Sequence, residues 1–163
     1  MTTIVVTGHM DLTEDTVQLV RAALDTLLER CAQDGPLAGV SCLAAGADTV
    51  FAEAVLAAGG RLTVVLPSRD YRRHVVGPAH APAFDRLVEA ADDVVVLPYE
   101  TADRQAYEAA NAALLERADR LVAVWNGAPP TGKGGGTADA VLAARAAGVP
   151  VDVVWPPGAE RGT

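Results

Sequence analysis

Short, valine-rich apolar runs alternate along this chain with stretches of helical periodicity, and this alternation is the strongest limit on its fold. The first three runs span residues 4–7, 40–43 and 62–66, with helical patterns at 13–34 and 49–58 between them. Apolar runs that do not alternate with polar residues are typical of strands covered on both faces. The order strand, helix, strand, helix, strand predicts a parallel sheet with helices on both sides.

The second half of the chain continues this pattern. We predict further strands at residues 94–97, 121–125 and 151–155, and helices at 84–91, 105–117 and 138–147. The predicted fold class is therefore α/β, a three-layer, Rossmann-like, doubly wound and mainly parallel sheet flanked by helices. Residues 1–156 are expected to form a single domain, and residues 157–163 a flexible C-terminal tail.

A glycine-rich stretch lies between the fifth predicted strand and the last helix. Its glycines Gly134, Gly135 and Gly136 allow close approach of the backbone to a ligand and positive φ angles. Thr137 is placed to cap the following helix, whose free N–H groups and dipole would face a bound anion. This layout predicts a cradle for a nucleotide or a similar phosphorylated small molecule.

The same stretch nearly matches the P-loop of nucleotide triphosphatases. The spacing from Gly127 to Lys133 is suitable, but the motif requires Ser or Thr directly after the lysine, and Gly134 stands there. Pro129 and Pro130 also remove two N–H donors from the loop. The sequence therefore does not favour a triphosphatase.

Unusual loops follow several of the predicted strands. They contain Gly8 and His9 after the first strand, residues 45–48 after the second and residues 67–73 after the third. Right-handed crossovers place these loops and the glycine-rich stretch along one edge of the sheet, where ligands bind in such folds. In the third loop, Arg69, Arg72 and Arg73 either supply a cation to a phosphate or are solvated surface charges.

Composition excludes several classes of function. The formal net charge of −8 over 163 residues argues against a general nucleic-acid surface, because phosphate contacts need clustered Lys and Arg. Cys31 and Cys42 lack the spacing of a metal or redox motif, so we expect reduced, buried thiols and no metal site. Neither a signal peptide nor a long apolar run is present, and a cytoplasmic protein without membrane contact is expected.

The loop sequences together carry a family resemblance over residues 3–155. The matching motifs are Gly8-His9-x-Asp11-Leu12, Ser41-x-Leu43-Ala-x-Gly46-Ala47-Asp48, Leu62-x-Val-Val-Leu-Pro67, and Val124-Trp125-x-Gly127 followed by Gly135-Gly136-Thr137-Ala138-Asp139. They resemble the SLOG superfamily of Rossmann-like nucleotide-binding domains, which includes the DNA-processing protein A and Lonely Guy groups. The resemblance implies that a nucleotide pocket is lined by Gly8, Gly46, Ala47, Asp48, Gly135, Gly136 and Thr137.

Two positions differ from the pattern of these relatives. Met10 stands where many have an arginine after Gly-His, and Ala140 stands at the glutamate of the Lonely Guy loop. Hydrolysis of a glycosidic bond needs an acid and a base or carboxylate, a pair that Asp48 and Asp139 could form. The favoured alternative is that both are first-turn helix residues or ligands for ribose hydroxyls.

Alternatives also remain for the other candidate side chains. His9 either contacts a phosphate or fixes the first turn through a backbone hydrogen bond. Trp125 and Tyr99 either stack on a base or, as favoured for Trp125, pack in the core. We expect Tyr107 to be a core residue.

The sequence thus predicts binding or sensing of a nucleotide-derived small molecule, without turnover and with no required cofactor. A bound nucleotide, a magnesium requirement and association into a homodimer or higher oligomer are left open. The alternatives are a nucleoside monophosphate N-glycosidase of the Lonely Guy type and a protein-interaction module with a vestigial pocket. The expected ligand-binding residues are Gly8, His9, Gly46, Ala47, Asp48, Pro67, Arg72, Asn126, Gly134, Gly135, Gly136, Thr137 and Asp139.

Overall fold

The computed structural model describes residues 1–132 and 134–162, and within them the chain alternates between strands and helices. In chain order the elements are β1 (Thr2–Gly8), α1 (Glu14–Gln33), β2 (Leu37–Ser41), α2 (Ala47–Ala57), β3 (Arg61–Leu66), α3 (Tyr71–His74), α4 (Ala81–Ala90), β4 (Asp93–Val96), α5 (Arg104–Arg117), β5 (Arg120–Val124), α6 (Thr137–Ala146) and β6 (Val151–Val153).

The six strands form one sheet in the order β4-β3-β2-β1-β5-β6, and every pair is parallel. From the central β1 the chain winds outward to β4, and it then crosses back to place β5 on the other side of β1. The direction of winding therefore reverses at β1, as it does in doubly wound sheets. The predicted α/β, Rossmann-like fold is confirmed, with a sheet that is wholly parallel.

Alternating strand residues divide the core between the two faces of the sheet. Ile4 and Val6 of β1 belong to a cluster with the apolar residues of α1 and α2. Val5, between them, packs with Leu114 of α5 and Val141 of α6 on the opposite face. Since both faces of the central strands are covered, their sequences read as unbroken apolar runs.

Two element boundaries differ from the sequence prediction for identifiable reasons. β2 begins at Leu37 rather than at residue 40, and its apolar pattern is interrupted by Gly39. A Cβ at Gly39 would lie 2.5 Å from Val55, so glycine is needed where α2 approaches the strand closely. At the last helix Gly136 is the N-cap and Thr137 the first helical residue, which corrects the predicted capping role of Thr137.

The segment after β6 returns to the start of α1. The backbone N–H of Glu160 donates to Thr16 Oγ1 at 2.7 Å, and Leu12 and Arg161 form an isolated antiparallel bridge. The flexible tail that the sequence predicts over residues 157–163 includes these contacts, and its last residue, Thr163, lies outside the described residues. Among the helices described, none has the length and apolar character needed to cross a membrane.

Candidate functional site

A cavity of about 480 Å³ opens at the carboxyl edge of the sheet. The ends and following loops of β1, β2, β3 and β5 contribute to its wall, as do α5 and the start of α6. Its volume falls within the range of about 300–1,000 Å³ typical of small-molecule sites. Its position, at the point where the winding reverses, is where ligands bind in open α/β sheets.

The cavity brings together most of the residues expected from the sequence. Those that line it are Gly8, His9, Asp48, Pro67, Gly135, Gly136, Thr137 and Asp139. Gly46, Ala47 and Asn126 lie behind the lining and support the first loop. A Cβ at Gly46 would lie 2.6 Å from the His9 carbonyl oxygen, and the Ala47 N–H donates to that oxygen at 3.1 Å.

Two of the expected residues lie elsewhere. The Arg72 guanidinium forms a two-point ion pair with Asp85 of α4, at 2.8 and 2.9 Å, and is absent from the cavity lining. Gly134 faces a separate shallow depression beside Arg104 and Glu108. Lys133, which carried the comparison with a P-loop, lies outside the described residues.

His9 connects the first loop to the loop after β5. Its Nε2 lies 3.1 Å from both the backbone N–H and the side-chain oxygen of Asn126, and its ring meets Trp155 edge to face at 5.6 Å. Burial lowers the pKa of His9, and the nearby charge of Arg161 lowers it further. The neutral imidazole can accept the Asn126 N–H, which is the turn-fixing role considered from the sequence, while one side of the ring lines the cavity.

The turn between β2 and α2 is held by a dense set of polar contacts. Leu43 has a left-handed backbone, with φ of 55°, and is fully buried. Its N–H donates to Ser41 Oγ at 3.0 Å, and its carbonyl oxygen accepts from His80 Nε2 at 2.9 Å. The next N–H, of Ala44, donates to Asp48 Oδ2 at 3.3 Å. A conformation that costs about 1–3 kcal/mol in a non-glycine residue is thereby maintained beside the cavity.

Asp48 is a buried carboxyl group on the cavity wall, with 8% of its surface exposed. Burial raises its pKa to about 7, against the smaller opposing effect of the Ala44 N–H. Near neutral pH the group therefore exists in both protonation states, so it can donate a hydrogen bond to a ligand as well as accept one.

The glycine-rich loop meets the start of α6 along the opposite wall. Gly135 has φ of 71° and is pressed against α5, where an added Cβ would lie 2.6 Å from Tyr107 Cβ. Gly136 is extended and open, because a Cβ there would meet only Asp139 Oδ2, at 3.6 Å. Its N–H donates to that oxygen at 3.2 Å. The Asp139 carboxylate thus caps the helix and occupies part of its positive end.

The structure adds lining residues that the sequence did not indicate. Tyr107, expected in the core, lines the cavity together with Asn111, one helical turn further along α5. This spacing of four residues is the signal that could have identified them as one face. Cys42 also lines the cavity, and burial raises the pKa of its free thiol.

Trp125 and Arg161 complete the wall. The Trp125 indole lines the cavity and donates from Nε1 to the Ala128 carbonyl oxygen at 3.0 Å, so its ring is fixed rather than free to turn. Arg161 comes from the segment after β6, for which the sequence predicts no role in the site. In the described part of the chain, no group of three or more His, Cys, Asp or Glu side chains could hold a metal ion.

Comparison with known proteins identifies the fold. No protein-family model matches the sequence, and no curated protein matches it. Among solved structures, DNA processing protein A from Streptococcus pneumoniae is similar, with a TM-score of 0.70 and 19% identity over 97% of this chain. This chain spans 52% of that protein, about half of its length.

Two further structures agree. DNA processing protein A from Helicobacter pylori, described for its single-stranded DNA binding mode, gives a TM-score of 0.66 at 17% identity, over 99% of this chain and 68% of that one. The Moco carrier protein of Chlamydomonas rheinhardtii gives 0.53 at 20%, over 93% and 74%. These likenesses, at 17–20% identity, show that this chain shares the Rossmann-like fold of the three proteins.

Proposed function

We propose that this protein binds a nucleotide or a nucleotide-derived small molecule in the cavity at the carboxyl edge of the sheet, without converting it. The observation that carries the proposal is the convergence of the predicted residues on one cavity of suitable volume, about 480 Å³. Six of these eight residues come from the loop after β1 and from the glycine-rich loop with the start of α6.

The chemistry of the lining suits the parts of a nucleotide. Asp48 and Asp139 can accept hydrogen bonds from ribose hydroxyls. The first-turn N–H groups of Thr137 and Ala138 lack partners within α6 and are available to a polar ligand group. Tyr107 and Trp125 offer aromatic surface for a base.

A binding role is favoured over catalysis because several polar groups are already engaged. His9 is held by Asn126, and the Asp139 carboxylate caps α6. An attacking water would require a free general base. Of the two candidate carboxyl groups, Asp139 caps α6 and Asp48 already accepts the Ala44 N–H at 3.3 Å.

Single-stranded DNA is a less suitable ligand for this chain, although the Helicobacter pylori protein is described as binding it. The net charge is −8, and the cavity wall carries the carboxyl groups of Asp11, Asp48 and Asp139. A polyanion would be repelled from such a surface. A small ligand with hydroxyl groups and few charges fits it better.

Asp48 favours a second candidate function, hydrolysis of a nucleotide N-glycosidic bond. A carboxyl group with a pKa of about 7 can act as a general acid at neutral pH, as such chemistry requires. Release of free base from nucleoside monophosphates, lost in Asp48→Asn, would support this function. Failure to release any base over a broad panel would leave binding alone.

A thermal-shift panel tests the proposed binding. The panel contains nucleosides, nucleoside mono-, di- and triphosphates, dinucleotides, ADP-ribose, cyclic nucleotides and a single-stranded oligonucleotide, each with and without Mg²⁺. A ligand at about 100 times its Kd stabilises the native state by about 2.7 kcal/mol. For a chain of this size that is a rise of roughly 5–11 °C in Tm.

The variant Gly136→Leu tests whether the ligand binds in this cavity. Its side chain would extend from an open position on the cavity wall, and we expect the ligand-induced shift to disappear. Gly77→Leu is the control, because Gly77 also has open space at its Cβ but does not line the cavity. The proposal would be contradicted if no ligand raised the Tm of a protein that melts cooperatively. It would also be contradicted if the ligand-induced rise in Tm were undiminished in Gly136→Leu.

A further inference from the structure

The cavity holds a positive charge supplied from a distant part of the sequence. Arg161 lines the cavity beside the loop after β1, and its backbone pairs with Leu12. On either side of it, the Glu160 carbonyl oxygen accepts from the Thr13 N–H at 3.4 Å, and the Gly162 N–H donates to the Asp11 carbonyl oxygen. The position of Arg161 is therefore set by backbone contacts and not by its side chain alone.

Asp11 fixes the orientation of the Arg161 guanidinium. Arg161 Nε lies 2.8 Å from Asp11 Oδ1 and 3.1 Å from Oδ2. A guanidinium has five N–H donors, and this contact uses the single donor on Nε. With the residues that the structure describes, the two terminal amino groups form no hydrogen bond, so their four donors remain available to a ligand.

The positive charge of Arg161 contrasts with the charges of the other described residues that line the cavity. Of the described residues that line the cavity, Arg161 alone is an arginine or lysine, whereas Asp11, Asp48 and Asp139 carry carboxyl groups. Burial, and then Arg161 itself, lower the pKa of His9, which favours the neutral imidazole. At the start of α6 the Asp139 carboxylate already accepts the Gly136 N–H. An anionic group in the cavity is thus attracted most strongly at Arg161.

On the basis of the proposed function, we propose that Arg161 binds the anionic group of the ligand, a single phosphate monoester, through its terminal N–H groups. Asp11 is the positioning residue that turns these donors toward the cavity. The Gly136 and Asp139 side of the cavity then receives the hydroxyl groups of the sugar. Additional phosphate groups would be repelled by the carboxyl groups of Asp11, Asp48 and Asp139. The cavity therefore favours a ligand with a single phosphate monoester.

Isothermal titration of matched ligands tests this assignment. The probes are the four ribonucleoside 5′-monophosphates and the four corresponding nucleosides, with the wild-type chain, Arg161→Gln, Arg161→Lys and Arg72→Gln. Arg72→Gln is a close control, because Arg72 is also a half-exposed arginine paired with an aspartate through Nε at 2.8 Å, but outside the cavity.

We expect Arg161→Gln to weaken binding of the monophosphate by about 10- to 100-fold, the loss typical of a charged hydrogen-bonding partner. Binding of the nucleoside should change less than twofold, Arg161→Lys should give an intermediate affinity for the monophosphate, and Arg72→Gln should match the wild type. The unliganded Tm of Arg161→Gln should stay close to that of the wild type, since exposed ion pairs contribute little to stability.

The possible results separate the two proposals. Equal loss for nucleoside and monophosphate in Arg161→Gln, or no loss for either, would overturn the role of Arg161 and leave nucleotide binding intact. Loss of equal size in Arg72→Gln would show a general effect of charge and would also overturn it. Failure of the wild-type chain to bind any of the eight probes would overturn this inference together with binding of simple nucleotides.

Discussion

The two glycine-containing loops that follow β2 and β5, on either side of β1 in the sheet, are built in different ways. In the β2–α2 turn, residues 42–46, buried side chains and neighbouring helices engage successive backbone groups; Thr49 Oγ1, for example, donates to the Ala44 carbonyl oxygen at 2.7 Å. In the described residues of the β5–α6 loop, 125–132 and 134–136, hydrogen bonds lie closer to solvent, such as Arg104 Nη1 to the Gly132 carbonyl oxygen at 3.4 Å.

The glycines of the two loops show the same contrast. Gly46 and Gly127 both have positive φ, 80° and 86°. A Cβ at Gly46 would lie 2.6 Å from two backbone oxygens, whereas a Cβ at Gly127 would have nothing within 4 Å. Glycine is thus required by packing at Gly46, and by backbone conformation alone at Gly127. In the second loop packing also requires glycine at Gly135, which lies against Tyr107, so the open part of that loop is the part around Gly127.

The largest effect should come from Gly46→Ala. The new methyl group would clash with the His9 and Met10 carbonyl oxygens, which belong to backbone and cannot rotate away. Backbone strain and overpacking together should lower the free energy of unfolding by about 2–5 kcal/mol. Urea denaturation measures this value, and a loss below about 1 kcal/mol would show that the turn is not rigid.

Asp48→Asn should alter the pH dependence of stability. The pKa of Asp48 is raised from 3.8 to about 7 by burial, so the stability this group contributes is complete below pH 4 and is lost as pH rises through 7. Between pH 4 and 8 the wild type should lose on the order of 3 kcal/mol through this group, a loss that the Asp48→Asn variant avoids. Denaturation at both pH values measures it, and parallel pH profiles for the two chains would contradict burial of the charge.

Gly127→Ala should have a smaller effect. With open space around the Cβ, only the left-handed conformation opposes alanine, at a cost of about 1–2 kcal/mol. The same urea denaturation compares it directly with Gly46→Ala. Equal losses in the two variants would remove the distinction between a packed and an open loop.

Gly136→Ala should have the smallest effect. The residue is extended, and its Cβ would make an ordinary contact at 3.6 Å with Asp139 Oδ2. We expect a loss of about 0.5–1 kcal/mol in the free energy of unfolding, since alanine is a poorer N-cap than glycine although no strain opposes it here. A loss above about 2 kcal/mol would show that this wall is as tightly packed as the other.

The sheet, and the edge at which the cavity opens, could be predicted because they follow from local patterns. Buried parallel strands read as valine-rich runs, and right-handed crossovers bring the loops that follow them to one edge. The start of β2 could not be predicted, because Gly39 interrupts the apolar pattern. Glycine is needed there because α2 approaches the strand closely. Such an approach is a property of packing, which no local pattern contains.

The charged residues of the site were harder to predict. Arg72 follows a strand, as expected for a binding residue, but Asp85 of α4 draws it into an ion pair. Arg161 lies in a polar segment with no periodicity, and its place in the wall depends on pairing with Leu12, near the opposite end of the chain. The periodicity of α5 predicts correctly that Tyr107 lies on the inward face of the helix. It does not show that part of this face lines a cavity rather than packing in the core.

The central position of β1 has a consequence for how the protein folds. β1 pairs with β2 on one side and with β5 on the other, and Gly8 lies opposite Val124. The second pairing joins segments far apart in sequence, and contacts of this kind form slowly because a long loop must close first. The cavity lies across this junction, so a ligand held there would bind only after the two halves of the chain have joined. Binding should then slow the unfolding of the whole sheet and protect the amides of β1 and β5 from hydrogen exchange.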